Sequence, residues 1–210
     1  MVTILYFHSF VTRFGAGMSH FMTYEEFHST PFTLESERLI IRRITMDDNE
    51  AIHSYGKDER VAFGASFPQH KSIEDARTYI RTVLESYQKN EPTSYGIVLK
   101  DSGELIGGIG LHHPDTASHK IEIGYALAPW HWNNGYMTEA AVTMIDHIFR
   151  LTELQRLEAR CKSINTASER VMQRLGMTYE GTLRHNQLQN GIYYYTKVYS
   201  ILRDEWLSRS

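Results

Sequence analysis

The run Ile121-Glu-Ile-Gly-Tyr-Ala-Leu-Ala-Pro-Trp-His-Trp-Asn-Asn-Gly-Tyr-Met-Thr-Glu-Ala140 carries more chemical information than any other part of this chain. It reads as a strand, a short loop around Gly135 and the first turn of a helix. The helix continues, because Met137, Ala140, Ala141, Met144, Ile145 and Ile148 recur at helical spacing. A strand feeding a loop and a helix N-terminus leaves a row of main-chain N–H groups without partners. With the positive end of the helix dipole behind them, such groups bind anions such as a pyrophosphate. Glu122, on the same strand, is a carboxylate able to take a proton in a reaction. The loop has two readings, a phosphate cradle or an ordinary connection with glycine at its turn, and one glycine does not separate them.

Other candidates carry similar pairs of readings. Strand alternation puts Glu122, Gly124 and Ala126 on one side and Ile121, Ile123, Tyr125 and Leu127 on the other. Glu122 then either lines a cleft or sits on a solvated, ion-paired face. Asn165 and Ser168 stand at a helix start, where both residue types serve as caps. Thr166-x-x-Glu169 reads as a capping box, which leaves Asn165 and Ser168 partly free for another task. His112, His113, His119 and His131 invite a metal reading. Adjacent histidines on a strand point to opposite faces, and no Cys pair or His-x-x-x-His accompanies them, so no metal site is expected. One of His112, His113 or His119 could instead contact a substrate. Trp130, Trp132 and Tyr193 to Tyr195 form either an apolar acceptor wall or half-buried packing.

The elements that must position these residues follow from pattern. Leu39 to Ile44 alternates as a strand, and Thr45 to Asp48 caps a short helix. Ile73, Ala76, Ile80, Val83, Leu84 and Tyr87 mark a longer amphipathic helix, started at Lys71 or Ser72 and ended before Pro92. Strands at Tyr95 to Lys100 and Glu104 to His112 flank the hairpin turn Asp101-Ser-Gly103, and Lys120 to Ala128 is the next strand. A helix over 137–150, a strand over 156–162, a helix closed by Gly176 and two strands around Gln189-Asn-Gly191 complete the chain. Hairpins early and strand–helix–strand units later imply an α/β (α+β) chain with a mixed sheet and helices on its faces.

A chain of 210 residues suits one domain, and a net charge of −3 without a Lys/Arg block argues against nucleic acid as a partner. No apolar run is long enough to span a bilayer. The lone Cys161 fits a reducing, cytoplasmic setting and a place in the core. Met1 to Phe14 is apolar but lacks a basic lead-in, so no signal peptide is expected, and Met18 offers a second start.

The 122–140 run resembles the acyl-CoA-binding motif of the GNAT N-acetyltransferase superfamily. It is most similar to the RimJ/RimL branch of ribosomal-protein alanine N-acetyltransferases, which carries E-I-G-Y-x-L-x-P-x-x-W-x-x-G-Y-x-T-E-A. Further blocks agree: Ser36-Glu-Arg-Leu-Ile-Ile-Arg42, Gly107-Gly-Ile-Gly110, Asn165-x-x-Ser168, Arg174-Leu-Gly-Met177 and Tyr199 to Trp206. The resemblance covers residues 35–206, with 1–34 as an N-terminal extension. It implies a mostly antiparallel mixed sheet of about seven strands flanked by helices, and acetyl-CoA as co-substrate. It implies Glu122 as base, Ser168 as acid with Tyr125 and Tyr136 as rivals, and Asn165 on the pantetheine arm. Leu127 and Ala128 would offer main-chain groups to that arm, and Asn133, Asn134, Gly135, Tyr136, Met137 and Thr138 would surround the diphosphate. The chain departs from the usual Arg/Gln-x-x-Gly-x-Gly/Ala loop at Trp132 and Met137, has Asn133 where the branch often has glycine, and has Tyr195 where relatives often have Asp. The acceptor implied is the α-amine of a protein N-terminus. A polyamine, amino acid or amino-sugar acceptor and a non-catalytic acyl-CoA sensor are the alternatives, and a homodimer through the C-terminal strands is compatible with either.

Overall fold

Apolar alternation and helical stripes translate directly into the architecture of the computed structural model, which describes residues 21–65 and 67–209. The readings placed on Met1 to Phe14 and on Met18 lie outside the described residues. The elements are α1 (Tyr24–Ser29), β1 (Leu34–Glu35), β2 (Leu39–Arg42), a 3-10 turn (Met46–Asp48), α2 (Asn49–Gly56), α3 (Glu59–Ala65) and α4 (Ile73–Gln88). They continue with β3 (Ser94–Leu99), β4 (Leu105–Asp115), β5 (Lys120–Leu127), a 3-10 turn (Pro129–His131), α5 (Tyr136–Leu151) and β6 (Arg156–Lys162). The chain closes with α6 (Thr166–Arg174), β7 (Thr178–Gln189), β8 (Ile192–Leu202) and α7 (Arg203–Leu207).

The strands form one sheet in the order β1-β2-β3-β4-β5-β6-β8-β7. Every neighbouring pair is antiparallel except β5 and β6. A parallel pair needs a crossover, and α5 supplies it. The sheet has eight strands rather than seven. The extra one is β1, whose two residues pair with Ile40 and Ile41 but are too few to print an alternation in sequence.

Burial explains the helices. Ala76, Ile80, Val83 and Tyr87 of α4 are buried, and Ser72 caps the helix in a box with Asp75. The stripe of α5 is buried from Met137 to Phe149. Helix α2 packs on α3 and α4, while α5 meets α6 and α7, so two helical groups flank the sheet. Helix α3 was not anticipated. It spans seven residues, Glu59 to Ala65, and carries Gly64, too short and too weakly periodic to stand out.

Part of the stretch set apart as an extension packs onto the body. Phe27 is 2% exposed. Its ring lies 5.2 Å from Phe32 and 5.6 Å from His147, and Phe32 stacks at 4.6 Å on Tyr95. This enclosure holds the His147 imidazole down at about 4, because burial disfavours its charged form. Phe27→Ala should therefore open a cavity and cost about 3 kcal/mol of unfolding free energy. Urea denaturation checks this, and an unchanged midpoint would mean that the segment adds nothing to the fold.

Candidate active site

Strands β5 and β6 pair over only three positions, Lys120 with Arg156, Ile121 with Leu157 and Glu122 with Glu158. Both continue well past that point, each paired only on its outer side, with β4 and β8. Their facing edges part, and the main-chain groups there are left to a ligand or to water. Two clefts meet in this opening. The larger, about 1190 Å³, is lined by Glu122 to Ala126 of β5 and Arg160 to Lys162 of β6. The smaller, about 280 Å³, follows the end of β5 to the start of α5. Gly64, Ala65, Tyr125, Ala126 and Ser168 line both.

The smaller cleft is built for an anion. Asn133 at φ 64° and Gly135 at φ 79° turn the chain sharply into α5, a conformation that suits glycine. Gly135 sits at the N-cap without a side-chain cap. Among the described residues the N–H groups of Tyr136, Met137 and Thr138 find no acceptor, as the first turn of a helix requires. Arg60, Arg170 and Arg174 line the same cleft, the Arg60 guanidinium held by Asp58 at 2.7 Å. Amides and guanidinium groups together suit a diphosphate and a further phosphate, and the open edge of β5 suits an amide-bearing arm. The residues present thus fit coenzyme A.

The loop is braced from a distance. Glu139, in the first turn of α5, accepts from the Ser36 hydroxyl at 2.6 Å, from the Arg38 N–H at 2.8 Å and from the Arg38 guanidinium at 2.7 Å. Arg38 also donates to the Asn134 carbonyl at 3.1 Å and lies 4.4 Å from the centre of the Tyr136 ring. Burial acts to raise the Glu139 pKa, but the Ser36 and Arg38 hydrogen bonds and the Arg38 charge outweigh it, and the carboxyl lies below its ordinary value.

The two departures from the usual loop find places. Trp132 donates its indole N–H to the Leu127 carbonyl at 2.7 Å and so ties the loop to the end of β5. Met137 is 6% exposed and packs with the core, so its length is absorbed there.

Leu127, Asn133, Gly135, Tyr136, Met137, Thr138, Asn165 and Ser168 line the smaller cleft. Ala128 and Asn134 are not among its walls. Ala128 donates its N–H to Ile106 and accepts from His131, so both its main-chain groups are spent inside the fold. The Asn134 side chain donates to the His131 and Trp132 carbonyls and shapes the loop from within.

In the larger cleft Glu122 faces Arg160, with Oε2 at 3.2 Å from Nε. Burial raises the Glu122 pKa above its ordinary value, against the pull of Arg160 and His113. The Tyr125 hydroxyl lies 3.2 Å from Ser168 Oγ. Burial also raises Tyr125, keeping it protonated and able to donate. Tyr136 lines only the smaller cleft, so Tyr125 is the tyrosine at the junction.

The capping box expected at Thr166 and Glu169 is absent. Asn165 is the cap and accepts from the Ser168 N–H at 3.1 Å, while its amide donates to the Gly64 carbonyl at 3.3 Å. Glu169 instead binds Lys197 at 2.7 Å and Tyr199 at 2.7 Å. Asn165 is therefore committed to holding α6 against α3, and Ser168 retains its hydroxyl for the junction.

The alternation rule also fails at the histidines. Register breaks between His112 and Asp115, and His113 takes φ 50°, so both imidazoles line the larger cleft. Among the described residues no group of three or more His, Cys, Asp or Glu is arranged to hold a metal. Trp132 belongs to the smaller cleft, while Trp130 and Tyr193 to Tyr195 line neither. Cys161 is 5% exposed, and burial lifts its thiol to about 11. Arg60 and Arg160 carry no motif in the sequence, whereas His112 and His113 stand among its candidate substrate contacts. Only the strand register and the unexpected helix α3 bring them to the clefts.

A sheet parted at one parallel pair, with an amide-lined helix start beside it, is the frame of an acyl-CoA-dependent transferase. A family model described as an acetyltransferase (GNAT) domain matches residues 38–178, and the chain belongs to that family. An uncharacterized N-acetyltransferase of Bacillus subtilis (strain 168), YoaA, is 37% identical over 170 residues, covering 81% of this chain and 96% of the relative. The crystal structure of a GNAT-family acetyltransferase from Bacillus anthracis matches with TM-score 0.75 at 29% identity, over 83% of this chain and 100% of that one. RimL, a ribosomal L7/L12 alpha-N-protein acetyltransferase solved in complex with coenzyme A, shares the fold with TM-score 0.75 at 22% identity, over 83% of this chain and 99% of that one. The protein is an N-acetyltransferase that uses acetyl-CoA. Among the described residues no helix is long and apolar enough to cross a membrane.

Glu139→Gln keeps the shape of the brace and removes its charge. Acetyl-CoA should bind about tenfold more weakly by calorimetry. Because the Glu139 pKa is depressed, its stabilisation is present above about pH 4.3 and is lost as pH falls through the depressed value. The variant should lose that part of the acid sensitivity of binding. Unchanged affinity would show that the brace does not order the loop.

Proposed function

We propose that this enzyme acetylates the α-amine of a protein or peptide N-terminus. The observation that carries the reading is the meeting of the two clefts. One suits acetyl-CoA and the other suits an extended acceptor, with Glu122 lining the second and the Tyr125–Ser168 pair at the junction. A volume of about 1190 Å³ exceeds what a small amine fills. Its walls offer neutral hydrogen-bonding groups from separate elements, including Gln69, Thr78, Ser94, Asn186 and Gln187, which suit a peptide main chain. Asp75 and Glu122 share the walls with Lys71, Arg160 and Lys162, a balance that does not favour a polycation such as a polyamine. The name of RimL supports the same acceptor class.

The chemistry follows from the placement. An α-amine titrates near about 8, against about 10 for lysine, so it loses its proton more readily at neutral pH. Glu122 acts as base toward the amine. A main-chain N–H on the open edge of β5 stabilises the oxyanion of the tetrahedral adduct. When the carbon–sulfur bond breaks, Tyr125 or Ser168 returns a proton to the thiolate.

Thiol release on Ala- and Ser-starting peptides, beside polyamines and amino-sugars, tests the reading. Peptide-dependent turnover should fall about a hundredfold in Glu122→Gln. Turnover on small amines alone would replace the acceptor, and coenzyme A binding without turnover on any amine would leave a sensor.

A further inference from the structure

His112 stands directly across the β4–β5 ladder from Glu122. Side chains at directly opposed positions share one face of the sheet, and both of these line the larger cleft. The imidazole lies over a floor of two facing glycines. A Cβ on Gly110 would meet His112 Nε2 at 2.9 Å, and a Cβ on Gly124 would meet the same atom at 3.3 Å. Gly110 and Gly124 are themselves opposed in the ladder. Two missing side chains thus make the space in which this ring rests beside Glu122.

The reaction takes two protons from the acceptor, which gives a second proton acceptor beside Glu122 a use. An acceptor amine enters as an ammonium, loses one proton before attack and a second from the tetrahedral adduct. Only one proton returns, to the departing sulfur. Glu122 alone would have to accept, discharge and accept again within one turnover. From this geometry and proton balance we infer that His112 takes the first proton, from the incoming ammonium, and leaves Glu122 for the second. The neutral amine then attacks the acetyl carbon, the adduct gives its proton to Glu122, and the carbon–sulfur bond breaks as Tyr125 or Ser168 protonates the thiolate; the proton held by Glu122 then passes through water in the cleft to that hydroxyl, so that both groups are restored. The imidazolium releases its proton to solvent through the cleft. This inference rests on the reading of the larger cleft as the acceptor site.

The charges around His112 are consistent with the role. Glu122 and Arg160 stand on β5 and β6, His113 follows on its own strand with ring centres 6.4 Å apart, and Tyr55, Asp75 and Tyr79 line the cleft from α2 and α4. His70, Lys71, Tyr125, Cys161 and Lys162 complete the titratable groups of that cleft. Burial, helped by His113, lowers the His112 pKa, which favours the neutral imidazole before the reaction and makes an imidazolium formed there quick to release its proton.

The test is kcat/KM on an Ala-starting peptide from about pH 6 to about pH 9.5, spanning the α-amine titration. Wild type, His112→Asn, His112→Gln and Glu122→Gln are compared. Both His112 variants should lose about a hundredfold at pH 7. The loss should lie in kcat, with KM for acetyl-CoA unchanged. It should shrink to a few-fold at the alkaline end, where the amine arrives already neutral. A loss that is the same at every pH, or no loss while Glu122→Gln is inactive, would overturn the inference and leave the proposed function standing. Absence of wild-type turnover on any peptide amine would overturn both.

Discussion

Main-chain hydrogen bonding sets the terms for this molecule. Among the described residues, strands β5 and β6 are the one parallel pair of the sheet, and they stay together only from Lys120 to Glu122. Because they are parallel, their C-terminal ends point the same way, and each runs toward the start of a helix. The N-termini of α5 and α6 consequently arrive at the same side of the gap. One brings the amides of Tyr136 to Thr138, and the other brings Ser168 to the Tyr125 hydroxyl. The parting of the strands also leaves β5 with an unpaired edge beyond Glu122. A fold that kept this pair zipped would bury those groups and have no place for an extended ligand.

The second constraint is electrostatic. A helix start carrying several unpaired N–H groups and a positive dipole end is a mobile, costly feature unless something fixes it. Here the fixing group is Glu139, one turn into α5, held by Ser36 and Arg38 from the far edge of the sheet. Two sequence blocks a hundred residues apart, Ser36-Glu-Arg38 and Thr138-Glu-Ala140, are thus two halves of one brace. Neither block touches the reacting atoms. Both determine where the phosphate-binding amides lie.

Much of this was legible in the sequence because burial and periodicity agree. The stripe of α5, the box at Ser72 and Asp75, the hairpins and the glycine-centred loop all encode local preferences that tertiary packing did not override. Where the reading failed, a nonlocal partner decided the outcome. Thr166 and Glu169 have the spacing of a capping box, yet Lys197 and Tyr199 on β8 claim Glu169, and Asn165 caps instead. Strand alternation would separate His112 from His113, but a register break and a positive φ bring both into one cleft. Ala128 matches the family motif, but its main-chain groups are consumed by Ile106 and His131. The pairing of Glu122 with Arg160 and its position opposite His112 depend on strand register, which no single stretch of sequence encodes.

The central claim is that acetyl-CoA and the acceptor approach each other through the gap between β5 and β6 and meet at Tyr125 and Ser168. A crystal structure with a bisubstrate conjugate, coenzyme A joined through an acetyl bridge to the α-nitrogen of an Ala-starting peptide, tests it most directly. The account predicts the diphosphate on the Gly135 to Thr138 amides, the pantetheine along the open edge of β5, the bridge beside the Tyr125 and Ser168 hydroxyls, and the peptide in the cleft lined by Glu122 and His112. A conjugate that binds with β5 and β6 still bridged by protein or water, or with its peptide outside that cleft, would contradict it.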